Sequence, residues 1–417
     1  MYLHRIAVED YRCFRERQEL LLSPVTVVFG RNNSGKSALV RAPLLMSTGF
    51  GTESSAALDL DQLPAAGLDA VAAFSDLVFD RNLVRPLRIE LEMGGVEHFD
   101  LSARLQYDDT LHHAIVESLT LSNGAESIDF TWSPSGDSPD GRQRYLVQPR
   151  GQTPSTHDLE FRGLLPAMEP YLPSWMDRKW TTGQIRYIGS YREPPSRFHS
   201  APLGEPKSLH ANGQNAAAIL AYDRAFGRGE LIASVNRHLV DIVPGWEIDE
   251  VKDGSSWETV LRRPHNAKVQ VNLLDGGTGI AQVLPLLVQC AIDERAGQGT
   301  SPTLQIVEEP EMHLHPAAHV GLADVYLRTA QATGTQFLIE THSETMLLRL
   351  RRRIAEGTYP PEMVGIHVVE QVDGTSIVRH VKIDAQGNLG DEWPEGYFSQ
   401  DYHEVRALAA AQLEQAG

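Results

Sequence analysis

The chain has 417 residues, 41% hydrophobic and 22% charged, with 37 Lys and Arg against 55 Asp and Glu for a formal net charge of −18. That length suits one large domain or two smaller ones, and the acidic balance excludes a surface that traps polyanions throughout, though not a local basic groove. Two cysteines, Cys13 and Cys290, exclude a disulfide framework. They point to a reducing compartment. No run reaches the roughly 18 apolar residues that span a bilayer, and no apolar signal core follows Met1–Arg5, so a cytoplasmic chain without a membrane partner is expected.

His4–Asp10 and Gln18–Leu22 read as a hairpin. Val25–Phe29 is a β-branched run ending at Gly30, hence a buried strand. A helix should follow Gly35 and end or kink at Pro43. Residues 47–70 read as irregular. From Pro86 to Ser133 the pattern alternates, with turn signals at Gly94-Gly95, Asp108-Asp109 and Asn123-Gly124, so an antiparallel meander is expected. Ser133–Gln152 reads as a loop, 212–242 as helical and 246–274 as strands. Leu304–Val307, Gln336–Ile339 and Gly365–Val369 are apolar strands separated by helical stretches, which implies a parallel sheet. The expected class is α/β, a mixed sheet with an antiparallel β-rich insertion. The expected divisions are 1–85, the first half of the core; 86–270, the insertion; 271–383, the second half; and 384–417, an acidic, aromatic tail. No internal repeat and no sustained heptad pattern is present.

Gly30-Arg31-Asn32-Asn33-Ser34-Gly35-Lys36-Ser37 matches G-x-x-x-x-G-K-S, after a strand and before a helix. In such a loop, backbone N–H groups face the phosphates of a nucleotide. Lys36 would reach the β- and γ-phosphates of ATP, and Ser37 would offer its hydroxyl to Mg²⁺. The cradle expected to bind nucleotide is therefore Gly30, Asn32, Asn33, Ser34, Gly35, Lys36, Ser37 and Ala38.

Leu304–Val307 ends in Glu308 and Glu309. Side chains alternate along a strand, so the two carboxylates cannot do the same work. Glu308 is assigned to the magnesium shell and Glu309 to polarising the attacking water. Gln336–Glu340 runs into Thr341 and His342, a histidine placed to sense the γ-phosphate. Asp275-Gly276-Gly277-Thr278-Gly279 is a second Gly-rich loop before an apolar helix.

In this order the elements resemble the ABC-type heads of the SMC, RecF and OLD (overcoming lysogenisation defect) ATPases, within the P-loop NTPases. Glu308–Pro316 and Glu340–Ser343 are most similar to the OLD and RecF-like branch. Tyr187–Pro195 and Trp393–Phe398 resemble a bacterial AAA-type family with a C-terminal domain of unknown function. The resemblance implies ATP hydrolysis with Lys36, Glu309 and His342 as catalytic residues. It also implies a head-to-tail homodimer or larger homo-oligomer, in which Gly277 and Gly279 act on the partner's nucleotide. It implies service in anti-phage defence beside a separately encoded effector, or in DNA maintenance as RecF-like proteins do; a nucleotide-gated scaffold with negligible turnover is the remaining alternative. Asp275 departs from the pattern, because a carboxylate facing a γ-phosphate repels it. No glutamine fits the family's Q-loop, Gln62 and Asp76 being the nearest candidates.

His313 and His315 have the form of a metal pair, but no Cys lies near them, and the resemblance implies that they belong to the loop after the catalytic strand, at the dimer interface. Arg349, Arg351, Arg352 and Arg353 read as a solvated helix end rather than a DNA contact. Arg192 is expected to reach the nucleotide or a partner. The tail aromatics Trp393, Tyr397, Phe398 and Tyr402 are expected to pack on the chain's own core.

Overall fold

A computed structural model of the chain describes residues 2–50, 52–62, 71–94, 98–134, 143–167, 185–206, 208–297, 303–394, 397–398, 405–408 and 412. Its centre is a six-stranded sheet in the spatial order Ile185–Ile188, Leu304–Glu308, Gln336–Glu340, Val25–Gly30, Val364–Val372, Thr375–Val381. The first five strands run parallel and the last is antiparallel. Every residue of the three inner strands Leu304–Glu308, Gln336–Glu340 and Val25–Gly30 is buried. Continuous apolar runs of this kind need cover on both faces.

Alternate residues serve two cores, as the strand period requires. Val27, Phe29, Val307 and Ile339 face the helices Thr278–Ala296, Pro316–Thr333 and Glu344–Ala355. Val28, Ile306 and Leu338 face an eight-stranded antiparallel sheet. That sheet begins with Gln18–Leu21, Tyr2–Glu9 and Leu87–Gly94, and continues through Phe99–Asp108, His113–Ser122, Ser127–Trp132, Gln143–Pro149 and Ser155–Leu159.

The N-terminal hairpin and the meander are thus one sheet, with Tyr2–Glu9 paired to Leu87–Gly94. The boundary expected at residue 85 runs between two paired strands. Likewise Ile185–Ile188, expected in the insertion, pairs with Leu304–Glu308. Pairing between distant segments leaves no mark on either segment's own pattern. Part of the loop expected at Ser133–Gln152 is the strand Gln143–Pro149; its alternating burial is its only signal. Pro43 ends the first helix and starts the next, between Lys36–Arg41 and Leu44–Gly49. The helical stretch resolves into Ala216–Phe226 and Glu230–Leu239, followed by the three-stranded sheet Glu247–Asp253, Ser256–Arg263, Asn266–Asn272. Gly95 lies outside the described residues, as do Glu395, Gly396, Asp401, Tyr402, Glu404 and Glu414 of the tail. Among the described residues no helix is long and apolar enough to cross a membrane.

Candidate nucleotide site

The buried strand Val25–Gly30 delivers the glycine-rich loop to the sheet's C-terminal edge. Gly35 sits at φ 102°, a left-handed conformation that a side chain resists. A Cβ there would lie 2.5 Å from Cys13 Sγ and 3.0 Å from Ser376 Oγ. At Gly30 it would lie 2.5 Å from both Val369 O and Ser34 Oγ. Both glycines are therefore required by close approach. Arg31, Asn32 and Asn33 are exposed, Ser34 is buried, and Ala38 packs against the core beneath the loop. The Lys36 side chain is 4% exposed; its Nζ donates to Arg31 O at 3.0 Å and stands 3.8 Å from Glu340 Oε1. Burial, the largest influence, lowers the Lys36 pKa; Glu340 and Glu309 oppose the shift.

Neighbouring parallel strands place Glu308 and Glu340 in register, so their side chains share a face. Glu308 gives both oxygens to Arg41, at 2.5 and 2.6 Å. This revises the magnesium role expected of Glu308: its acceptors are taken by a cation that the sequence pattern did not connect to it. Glu340 holds the corresponding place beside the loop, accepting the Ser37 hydroxyl at 3.0 Å. Burial, and the charge of Glu308 after it, push the Glu340 carboxyl up to about 7, while Ser37 and Lys36 pull it down. The second oxygen of Glu340 is buried without a partner.

Glu309 leaves the strand at φ 41°, with its N–H donating to Glu340 O at 2.8 Å. The turn is pinned from below by Arg192, which is 0% exposed. Its guanidinium donates to Glu308 O at 3.0 Å, Glu309 O at 2.9 Å and Gly189 O at 3.0 Å. Arg192 therefore reaches neither nucleotide nor partner, contrary to expectation; it holds the backbone that aims Glu309. Glu311 acts similarly on the next strand, accepting from Thr341 Oγ1 and from His342 N, both at 2.7 Å. His342 is exposed, and burial of its surroundings together with Lys36 lowers its pKa, favouring neutral imidazole. Glu309, Glu340 and His342 each bring a ligand atom within 4.8 Å of the others.

The second glycine loop lies at the start of helix Thr278–Ala296, with Gly277 as its cap at φ 105° and nothing within 4 Å of a Cβ placed there. Gly279 has a packing reason, since a Cβ would lie 2.5 Å from His313 O. Asp275 turns away into a bidentate ion pair with Arg197, at 2.7 and 2.9 Å. The helix is tied to the first site through Gln282, whose Nε2 donates to Arg192 O at 2.5 Å.

The other candidates fall to structural duties. Gln62 bonds to Asp59, and Asp76 accepts from the N–H groups of Ala72 and Ala73. His315 caps the helix Pro316–Thr333 by accepting from Ala317 N. Arg349 and Arg353 share Asp324, Arg352 pairs with Glu356, and Arg351 donates to Gly387 O. In the tail, Trp393 and Phe398 meet Phe29 edge-on, at 5.6 and 5.9 Å between ring centroids. Tyr397 in turn meets Trp393 and Phe398 edge-on, at 5.3 and 4.8 Å between ring centroids.

A family model described as an AAA ATPase domain matches residues 230–347, and one described as a protein of unknown function (DUF3696) matches residues 360–408. The chain is 32% identical over 93 residues to the DNA replication and repair protein RecF of Chloroflexus aggregans, 22% of this chain and 24% of that one. It thus spans about a quarter of that relative's length. The SMC head domain from Thermotoga maritima superposes with a TM-score of 0.46 at 14% identity, covering 92% of this chain and 100% of that one. An SMC head bound to the C-terminal winged-helix domain of ScpA gives 0.47 at 14% identity, covering 92% and 98%. Residues 230–347 are thus similar to an AAA ATPase domain and residues 360–408 to the DUF3696 family; the second match includes Trp393–Phe398, one of the two segments on which the resemblance to an AAA-type family rested.

Proposed function

We propose that this chain binds ATP with Mg²⁺, hydrolyses it, and uses the cycle to assemble and release a head-to-tail homodimer. The observation that carries the reading is the convergence of Lys36, Ser37, Glu309, Glu340 and His342 at the tips of three adjacent parallel strands. The loop residues Gly30, Asn32, Asn33, Ser34, Gly35 and Ala38 form the cradle, and Lys36 bonds the β- and γ-phosphates. The Ser37 hydroxyl and the unpartnered Glu340 oxygen suit a hard cation, and these two would hold Mg²⁺. Bound there, Mg²⁺ supplies charge neutralisation at the phosphates.

Glu309 accepts the proton of the attacking water. Its turn geometry, set by Arg192, fixes where that proton goes. His342, held by Glu311 through its backbone, donates to the γ-phosphate and loses that partner on hydrolysis. Gly277 and Gly279 present the N-terminus of helix Thr278–Ala296 to the nucleotide of the second copy.

The test is ATP turnover and particle mass by light scattering, on wild type and Glu309→Gln. Loss of a general base lowers turnover by about 10²–10⁴-fold, while bound ATP shifts the variant to a dimer or larger. Unchanged turnover in Glu309→Gln would remove Glu309 as the base; a chain that stays monomeric with ATP bound would remove Gly277 and Gly279 from the site.

At the cellular level the reading is a regulatory ATPase working through a separately encoded effector, in defence against phage. The RecF match favours a second reading, DNA maintenance. The pairing of Arg349, Arg352 and Arg353 with Asp324 and Glu356 supports the first, because those charges are already spent within the fold. Strongly salt-dependent DNA binding by the chain alone would favour the second.

A further inference from the structure

The acidic side of the nucleotide site has a second chemical capacity besides the hydrolysis proposed above. Glu309, Glu340 and His342 each bring a ligand atom within 4.8 Å of the others. An ion with bonds of about 2.0–2.2 Å needs its ligands within roughly 4.4 Å of one another. His342 is exposed and Glu309 half-buried, so neither side chain is held in place by surrounding packing.

Two independent observations show that a cation is wanted there. Glu340 is 3% exposed and one of its oxygens has no partner, an arrangement that is costly for a buried acceptor. The cations within reach of the carboxylates are also few. Arg41 neutralises Glu308, which leaves Lys36 alone between Glu340 and Glu309.

The ligand set selects the ion. Two carboxylates and an imidazole suit borderline divalent metals, whereas Mg²⁺ prefers oxygen alone. We propose that, in the nucleotide-free chain, Glu309, Glu340 and His342 form a site for a divalent transition-metal ion of the Zn²⁺ class. Such an ion occupies the carboxylate and the imidazole that hydrolysis requires, so it holds the ATPase silent until it is removed. This silencing rests on the hydrolysis reading; the ion site itself does not.

The test is equilibrium binding of Zn²⁺ to the full nucleotide-free chain in excess Mg²⁺. One ion per chain is expected to remain bound. His342→Ala should weaken it at least about tenfold, since even a lost outer-shell partner costs that much. Glu309→Gln is the second variant. Both positions are accessible, so folding is not at stake. Co²⁺ in place of Zn²⁺ gives a visible spectrum that should change on His342→Ala. Displacement by excess Mg²⁺, or affinity and spectrum unchanged in both variants, overturns the site. ATP turnover measured with Zn²⁺ and then with chelator separates the two readings. Binding through the three residues with uninhibited turnover overturns the silencing. Binding with no turnover under any condition counts against the ATPase reading and leaves the ion site standing.

Discussion

The two glycine loops are built to opposite specifications. Around the phosphate loop, a Cβ on Gly30 or Gly35 would meet neighbouring atoms at 2.5 Å, and the lysine that follows is buried. Around the second loop, Gly277 is exposed with nothing within 4 Å of a Cβ, and its neighbour Asp275 is paired in solvent with Arg197. The first is complete within one chain: its conformation is fixed by its own surroundings. In the second, Gly276 and Gly279 are also closely approached, by Leu261 and by His313 O at 2.5 Å, and Gly277 alone is bare, which suits the contact with a second copy proposed above. Substitutions at the two loops should therefore fail in different ways.

The largest effect is expected at Gly35. A β-branched side chain there meets both a left-handed φ and the Cys13 sulfur. Gly35→Val should weaken ATP binding by at least about a hundredfold, or about 2.8 kcal/mol. Isothermal titration of ATP-Mg²⁺ measures this, with circular dichroism to show that the fold persists. Retained affinity would mean that the loop does not bind phosphate in this conformation.

Next comes Arg192, the joint between the loops. Its guanidinium holds the Glu308–Glu309 turn, and its carbonyl accepts from Gln282 on the helix that the second loop begins. Arg192→Met leaves buried carbonyls without their donor, at about 1–3 kcal/mol each. A loss of roughly 3 kcal/mol or more in denaturant unfolding is expected, along with lost turnover. Full stability would show that water or backbone shifts replace the guanidinium.

What the sequence disclosed follows the same division. The phosphate loop, the Glu308-Glu309 strand end and the His342 strand end were legible because each is a local pattern with its own period and punctuation. Glu340 was within reach: it lies two residues before His342, on the same face of its strand end, but the histidine drew the assignment. Arg41 and Arg192 were not legible, because their partners Glu308 and Glu309 lie far along the chain. The eight-stranded sheet was split in two for the same reason: Tyr2–Glu9 and Leu87–Gly94 carry no mark of each other.

A third effect should fall on assembly alone. Gly277→Ala has room for its methyl group and suffers only from the backbone, at φ 105° and ψ 142°, a strain of about 1–3 kcal/mol. ATP affinity per chain should stay within a few-fold of wild type, while the ATP-trapped dimer of Glu309→Gln weakens when Gly277→Ala is added. Sedimentation at several protein concentrations reads this directly. Equal dimer yield would leave Gly277 a helix cap and nothing more.

The smallest effect is at Asp275, and it sharpens the comparison most, because one reading of the second loop predicts a gain and the other predicts almost no change. If this helix start faces only solvent, Asp275→Asn merely removes an exposed ion pair with Arg197, and such pairs contribute little. If it faces the partner's γ-phosphate, the native carboxylate is a like charge near an anion, held aside by Arg197, and removing it also frees a guanidinium for the phosphate. Asp275→Asn should then tighten the ATP-trapped dimer by a few-fold and leave the nucleotide-free chain unchanged. Raising the salt concentration should erase most of the gain, since the charges are exposed. A weaker or unaltered dimer would mean that Asp275 and Arg197 shape the loop without meeting a phosphate, and the approach of the second copy would have to be sought on another face.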